Sequence, residues 1–258
     1  MTGTEITNRW LSVPAPNPQA LLRLFCFPYA GGSAATFREW HKGLPATVEV
    51  CGIRLPGRGT RVEEPPFADL KLLVDTVAKE LRPLWEKPFA LFGHSMGAVI
   101  AFDLARHLRH EYGYDALHLF VSGSCAPHVP SHMIPFYDLS EGGFLETVRR
   151  LNGTPPQVLE HPELMKLLLP ALRADFQMAQ AYEYLAGPPL DCSITAFGGL
   201  RDEEVSSDCI KAWREQTTGE FSLEMIDSDH FFVQRARPLL LQMVSRRLND
   251  LATKLSGP

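Results

Sequence analysis

The sequence predicts an α/β fold built on a mostly parallel central sheet with helices on both faces. Short apolar runs recur along the whole chain, and longer amphipathic stretches separate them. The runs are near-continuous rather than alternating, which is typical of parallel strands buried on both faces. With 45% hydrophobic residues in 258, the chain has ample material for a substantial core.

Six apolar runs are predicted to be strands. The first two are LLRLFCF at 21–27 and the β-branched TVEVCGI at 47–53, three more lie near 88, 117 and 191, and FSLEMID at 221–227 closes the series. Helical patterns lie between them, and this alternation predicts βαβ units with right-handed crossovers. One helical stripe has apolar residues at spacings of three and four: Leu70, Leu73, Val77, Leu81 and Leu84.

One segment, from about 126 to 187, interrupts the alternation. It contains helix-like stretches punctuated by prolines, and no good strand. Such an insertion is too long for an ordinary connection between strands. We expect a single domain over 1–258 in which 126–187 forms a helical lid over the ligand end of the sheet. A helical pair packed on the sheet edge is the alternative.

Charge and cysteine content bear on the class of function. A formal net charge of −5 argues against general nucleic-acid binding, which relies on clustered positive charge. The five cysteines include no C-x-x-C pair, so we expect no zinc or redox motif and thiols that are reduced and mostly buried. The first residues lack a signal-peptide pattern, and no apolar run reaches the ~18 residues of a membrane span, so we expect a cytoplasmic protein.

The sequence GHSMG at 93–97 fits the pattern G-x-S-x-G. A predicted buried strand precedes it and a predicted helix follows it, the context in which this pattern marks a nucleophile. Gly93 and Gly97 suit a turn too tight for a Cβ. Such a turn would present the Ser95 hydroxyl above the sheet and leave the Met96 N–H free to donate to an oxyanion. A tight turn without chemistry is the alternative.

A serine hydroxyl needs a base, and only one of the nine histidines immediately follows a late predicted strand. This is His230, in FSLEMIDSDHFFVQ, and we expect it to be the general base. His94 is part of GHSMG, and the remaining seven lie in helical patterns, in or near the inserted segment, or at a strand start: His41, His107, His110, His128, His132, His161 and His118.

Asp202 is the predicted acid, because it comes just past the strand near 191 at a Gly-rich exit. Its expected role is to hold the tautomer of His230 and stabilise the imidazolium. A helix N-cap is the alternative reading of Asp202. Other acids come later in the turn or too close to His230 in sequence: Glu203, Glu204, Asp227 and Asp229.

A second oxyanion donor is expected from the loop after an early strand, here FCFPYAGGSAATF. Gly31 and Gly32 let the backbone approach a ligand closely. The Ala30 N–H is the preferred candidate and the Tyr29 N–H a weaker one. Alternatively, the glycines only make room for the following helix.

Six motifs occur in order: FPYAGGS, LPGRGTR, LFGHSMG, LPALRADF, FGGLRD and DHFFV. With them, the chain resembles the type II thioesterases over residues 21–248. These are stand-alone α/β-hydrolases that serve polyketide synthases and non-ribosomal peptide synthetases. The resemblance implies an α/β-hydrolase fold, a lid that shapes the acyl chamber, and hydrolysis of acyl groups from the phosphopantetheine thiol of an acyl or peptidyl carrier protein.

The resemblance also implies roles for individual residues. It places the nucleophile on Ser95, the acid on Asp202, the base on His230 and the oxyanion amides on Met96 and Ala30, which are the positions reached from the residues above. One departure is Ser228, which stands where a glycine is common. The chemistry requires no metal or redox cofactor, and we expect a monomer.

Other functions and the docking surface stay open at this point. A carboxylesterase or an acyltransferase would use the same triad, and a non-catalytic binding protein could share the fold. Carrier proteins are usually acidic, so docking on this acidic chain would need a local basic patch. Two sets of arginines could supply one, unless they are ordinary solvated side chains: Arg54, Arg58 and Arg61, or Arg149 and Arg150.

Overall fold

The computed structural model describes residues 8–130, 134–154 and 156–257, the side chain of Pro156 excepted. His132, one of the histidines in the predicted insertion, lies outside these residues. None of the described helices combines the length and the apolar character needed to cross a membrane.

The centre of the fold is a seven-stranded sheet in the order β1-β3-β2-β4-β5-β6-β7. Only β1 runs antiparallel to its neighbour, so the predicted mostly parallel sheet is confirmed. All six predicted strands are present, and sequence analysis missed only β1, whose two residues are too few to show a pattern. The strands are β1 Leu11–Ser12, β2 Leu22–Phe27, β3 Val48–Ile53, β4 Phe89–His94, β5 His118–Ser122, β6 Ser193–Gly199 and β7 Phe221–Ile226.

Helices cover both faces of the sheet. The described α-helices are α1 Leu70–Glu80, α2 Met96–Tyr112, α3 Glu141–Leu151, α4 Pro156–Leu159, α5 Pro162–Gln180, α6 Ser207–Lys211, α7 Phe232–Arg235 and α8 Arg237–Ser256. In β2, Phe25 and Phe27 pack in the layer with α1 and α2, whereas Leu24 and Cys26 pack in the layer with α8. This burial on both faces explains why the strands read as continuous apolar runs.

The predicted stripe of α1 is buried along its whole length, from Leu70 to Leu84. The α-helix itself ends at Glu80, and a 3₁₀ turn over Arg82–Leu84 continues the stripe. Pro83 accounts for the change, because proline lacks the N–H that an α-helix interior requires.

The segment between β5 and β6 contains α3, α4 and α5 and has a small apolar core of its own, made of Phe136, Phe144, Val148, Met165 and Leu172. It meets the sheet domain at two glycines. A Cβ on Gly153 would lie 2.3 Å from the Phe231 ring, and a Cβ on Gly31 would lie 2.6 Å from the Leu172 side chain. These helices therefore pack directly on the loops that follow β2 and β7.

The expectation of reduced thiols is wrong for two of the five cysteines. Cys125, after β5, forms a disulfide with Cys209 in α6, at a sequence separation of 84 residues. The Ala126 N–H also donates to the Cys209 carbonyl oxygen at 3.0 Å, so the backbones meet there too. The spacing of the two cysteines in the sequence does not indicate this disulfide, because it is the βαβ topology that brings the two positions together. Cys26, Cys51 and Cys192 are free.

The buried His118 in β5 is expected to make the folded state less stable at acid pH. Its side chain is buried, Nε2 lies 2.8 Å from Thr195 Oγ1, and burial lowers the pKa of the ring to about 3. In the unfolded chain a histidine titrates near pH ~6.5. The neutral ring therefore contributes stability that is fully present above that pH and is lost as the pH falls towards 3.

We expect His118→Gln to make the free energy of unfolding less dependent on pH. Between pH 6 and pH 4 the slope should fall by about 1.4 kcal/mol per pH unit, the value for one proton. Urea titrations at several pH values measure this, with His110→Gln at an exposed position as the control. Equal slopes for wild type and His118→Gln would contradict the account.

Candidate active site

Ser95 lies on a strained turn between β4 and α2. Its backbone has φ 55° and ψ −120°, one of two positive φ values among the described non-glycine residues. A Cβ on Gly93 would lie 2.0 Å from the Gly97 carbonyl oxygen, and one on Gly97 would lie 2.2 Å from that of Phe27. The turn therefore requires both glycines, and strain of this kind is typical of functional sites.

His230 and Asp202 lie together beyond the ends of β7 and β6. The His230 Nδ1 is 2.7 Å from the Asp202 Oδ2. An ionised carboxylate only accepts hydrogen bonds, so the tautomer of the neutral ring that fits this contact has its proton on Nδ1 and a lone pair on Nε2. The Asp202 side chain is fully buried, whereas the His230 side chain is 17% exposed. The accessible nitrogen can thus act as a base towards the site.

Asp202 is not the helix N-cap that sequence analysis offered as the alternative, because α6 begins at Ser207 with Ser206 as its N-cap, but its side chain does anchor a turn. Its Oδ1 accepts the N–H groups of Glu204 at 2.9 Å and Val205 at 3.1 Å. One oxygen therefore fixes the backbone turn while the other holds His230. This anchoring suits the predicted catalytic role, because the anchored turn fixes the carboxylate that contacts the ring.

The structure brings His230 next to the serine turn through His94, the residue before Ser95. The His94 and His230 ring centroids are 5.2 Å apart. Within the described residues, the Ser95 hydroxyl forms no hydrogen bond with the His230 ring in this conformation. Ser95, His230 and Asp202 thus lie at one edge of the sheet, and the hydrogen bond between His230 and Asp202 is already formed.

His94 is a site residue that sequence analysis missed. It is completely buried, and its Nδ1 lies 2.8 Å from Ser122 Oγ. Burial, and secondarily the neighbouring His230, lowers the pKa of His94 well below its usual range. His94 is therefore neutral near pH 7 and adds no charge beside His230. Its place as the x in G-x-S-x-G gave no signal of this role.

The two expected oxyanion amides lie on segments whose backbones approach each other, the start of α2 and the loop after β2. A Cβ on Gly97, at the start of α2, would lie 2.2 Å from the carbonyl oxygen of Phe27, the last residue of β2, and 2.7 Å from that of Pro28 in the loop that follows. Within the described residues, neither the Met96 N–H nor the Ala30 N–H donates a backbone or side-chain hydrogen bond, and the same holds for the Tyr29 N–H. Both candidate donors thus remain available to a ligand.

Asp229 and Asp227, the acids close to His230 in sequence, pair with arginines and not with His230. Asp229 pairs with Arg235, and Asp227 lies 2.7 Å from Arg201. The departure at Ser228 is also accommodated, since its φ is not positive and its carbonyl oxygen accepts the Arg201 N–H at 2.9 Å. The loop before His230 therefore needs no glycine at this position.

The basic patch suggested around residues 54–61 is wrong for two of its three arginines. Arg58 is buried and paired with Asp175, and Arg61 is buried, paired with Glu64 and stacked 4.0 Å from the Trp10 ring. Their charges are neutralised inside the fold. Arg149 and Arg150, the other suggested pair, are exposed on α3.

Within residues 8–130, 134–154 and 156–257, no group of three histidine, cysteine, aspartate or glutamate side chains is placed to hold a metal ion. A serine on a strained strand-to-helix turn, beside a buried aspartate–histidine pair on a parallel sheet, is the arrangement of an α/β-hydrolase.

Comparisons with known proteins define the family. Residues 22–248 match the family described as Thioesterase domain. The gramicidin S biosynthesis protein GrsT of Aneurinibacillus migulanus is 44% identical over 248 residues, which cover 96% of this chain and 97% of GrsT.

Solved structures agree. BorB, the type II thioesterase from the borrelidin biosynthetic cluster, has a TM-score of 0.84 and 35% identity, covering 93% of this chain and 97% of BorB. ClbQ, from the colibactin NRPS/PKS pathway, has a TM-score of 0.85 and 30% identity, covering 90% and 98%. The chain belongs to the thioesterase family and, within it, to the type II thioesterases. It is a serine-dependent thioester hydrolase with the α/β-hydrolase fold.

Proposed function

We propose that this enzyme hydrolyses acyl thioesters from the phosphopantetheine arm of acyl or peptidyl carrier proteins, and so clears stalled or misprimed units from polyketide or non-ribosomal peptide synthases. The observation that supports this most is the strained Ser95 turn beside the Asp202–His230 pair, in a chain related to proteins named for such pathways. The acyl and carrier parts of the substrate come from those relatives.

In the first chemical step, the Ser95 oxygen attacks the thioester carbonyl carbon while His230 Nε2 takes the hydroxyl proton. The Met96 and Ala30 N–H groups stabilise the tetrahedral oxyanion. Collapse breaks the carbon–sulfur bond, and the pantetheine sulfur leaves with the proton that His230 returns. The Ser95–His230 hydrogen bond forms with the substrate in place, as catalytic hydrogen bonds often tighten only then.

In the second step, water attacks the acyl-Ser95 ester. His230 takes a proton from the water and then returns it to the Ser95 oxygen, which releases the carboxylic acid. Asp202 holds the ring and stabilises the imidazolium in both steps. His94 stays neutral behind it, so the site carries one positive charge at a time.

The helices between β5 and β6 act as a lid over the acyl chamber of a single domain. Support comes from their contacts with Gly31 in the oxyanion loop and with Phe231, next to His230. Arg149 and Arg150 are the remaining candidates for a carrier-docking patch. We propose that the enzyme works as a monomer in the cytoplasm, with the synthases.

The decisive assay is a panel of acyl groups, from acetyl to long chains, on a carrier protein, with matched oxygen esters and a small thiol thioester alongside. We expect release of the free acid and of the carrier thiol, with carrier thioesters favoured over both other substrates. Faster turnover of oxygen esters would indicate a carboxylesterase. Transfer of the acyl group to an added alcohol or amine would indicate an acyltransferase.

A further inference from the structure

A buried ion pair links the lid to the sheet domain. Asp175 lies on α5 and Arg58 in the loop after β3, and their side chains are 1% and 7% exposed. The pairing is bidentate, with Arg58 Nη1 at 2.5 Å from Asp175 Oδ2 and Nη2 at 2.7 Å from Oδ1. The mechanism above uses neither residue.

The same carboxylate holds the oxyanion loop. The Gly31 N–H donates to Asp175 Oδ2 at 2.7 Å, across 144 residues of sequence, and Arg58 Nη1 donates to the Gly32 carbonyl oxygen at 3.2 Å. The loop itself is a β-turn closed by the Gly32 N–H on the Tyr29 carbonyl oxygen at 2.8 Å. Gly31 has φ 76° at its third position, as a type II turn requires.

This arrangement occupies the Gly31 and Gly32 amides of the turn and leaves those of Ala30 and Tyr29 available. The Gly31 N–H is committed to Asp175, whereas the preceding Ala30 N–H donates to no acceptor within the described residues. Leu172, one turn before Asp175 on α5, packs where a Gly31 Cβ would be. The turn is thus held by an acceptor and by packing from the same helix.

We propose that Asp175 is a positioning residue for the oxyanion hole, with Arg58 as the counter-ion that fixes its carboxylate. By binding the Gly31 N–H, Asp175 sets the orientation of the turn that presents the Ala30 N–H. Because Asp175 belongs to α5, the oxyanion hole is complete only when this helix is seated on the loop. The inference rests on the proposed function, since it requires Ala30 as a donor to the reacting oxygen.

A matched control pair exists elsewhere in the fold. Arg23 and Glu49 form an ion pair of 2.9 Å whose side chains are 12% and 3% exposed, and Glu49 also accepts a backbone N–H, that of Asn17, at 2.9 Å. The pair lies near the beginnings of β2 and β3, the opposite end of the strands from Ser95. Replacing it tests the loss of a buried ion pair without touching the oxyanion loop.

The test compares the double variants R58M/D175L and R23M/E49L, because replacing both charges avoids leaving one buried and unpaired. Hydrolysis of a small thiol thioester gives kcat and KM, and inhibition by an acyl trifluoromethyl ketone reports binding of a tetrahedral oxyanion. We expect the kcat of R58M/D175L to fall by about 10²-fold, the lower end of the range for loss of one oxyanion donor. The affinity for the ketone should weaken in parallel, whereas KM should stay nearly unchanged. R23M/E49L should keep the kcat and the ketone affinity of wild type.

A third variant, R58Q/D175N, keeps an oxygen acceptor for the Gly31 N–H without the charges, and we expect it to recover most of the kcat. If R58M/D175L does not fold, R58Q/D175L replaces it, because it differs from R58Q/D175N only in lacking that acceptor. Equal kcat and ketone affinity for variants with and without the acceptor would overturn the inference. Failure of the proposed function would look different, since wild type would then leave thioesters intact or Ser95→Ala would stay active.

Discussion

Ser95→Ala is expected to lower kcat/KM for thioester hydrolysis by at least about 10⁴-fold, because the acyl-enzyme cannot form. Its stability should match that of wild type, since alanine keeps the strained backbone at φ 55°. Ser95→Gly should be equally inactive but more stable, by about 1 kcal/mol, because glycine relieves a strain of ~1–3 kcal/mol at some cost in chain entropy.

Initial rates and urea titrations on the three proteins measure both effects. Labelling by a fluorophosphonate provides an independent check and should modify wild type only. Residual turnover well above the uncatalysed rate in Ser95→Ala would remove Ser95 from the mechanism. Equal unfolding free energies for the alanine and glycine variants would instead show that the turn stores no strain.

Asp202→Asn is expected to lower kcat by about 10⁴-fold with the fold retained, because it imposes the wrong tautomer on His230. The asparagine Oδ1 can still accept the N–H groups of Glu204 and Val205, which anchor the turn. Its amide nitrogen then faces His230 Nδ1, which must become an acceptor. The ring proton moves to Nε2, where it blocks removal of the Ser95 proton.

Asp202→Ala is the control that separates the effect on the His230 tautomer from the effect on the turn that Asp202 anchors. It loses the contacts to the turn as well as to the ring, so its free energy of unfolding should fall by a further ~1 kcal/mol relative to Asp202→Asn. Its kcat should be reduced to a similar extent. An Asp202→Asn enzyme that keeps most of its kcat would show that the carboxylate serves the turn alone.

The strands and the serine turn were predictable because both depend on local chemistry. Burial of a parallel strand on both faces requires a continuous apolar run, and a turn with Gly97 against the Phe27 carbonyl oxygen excludes a Cβ. The order of Ser95, Asp202 and His230 along the chain also follows, since each comes directly after a strand.

Long-range partners were not predictable in the same way. Cys125 pairs with Cys209 although the expectation was free thiols, and Arg58 lies in a buried ion pair although it was a candidate for a docking patch. In each case the residue type admits several roles. Burial and the distance to a partner select one of them, and both depend on how the crossovers stack.

Periodicity and turn chemistry alone thus settled the order of elements, the parallel sheet and the tight turn that presents the serine, because each requires particular residue types within a few positions. Only the folded chain decided that His94 is buried and neutral beside His230, and that Asp175 reaches Gly31 across 144 residues. The physical reason is that parallel strands end at one edge of a sheet, where loops far apart in sequence meet, and no local pattern records which of their groups come within hydrogen-bond distance.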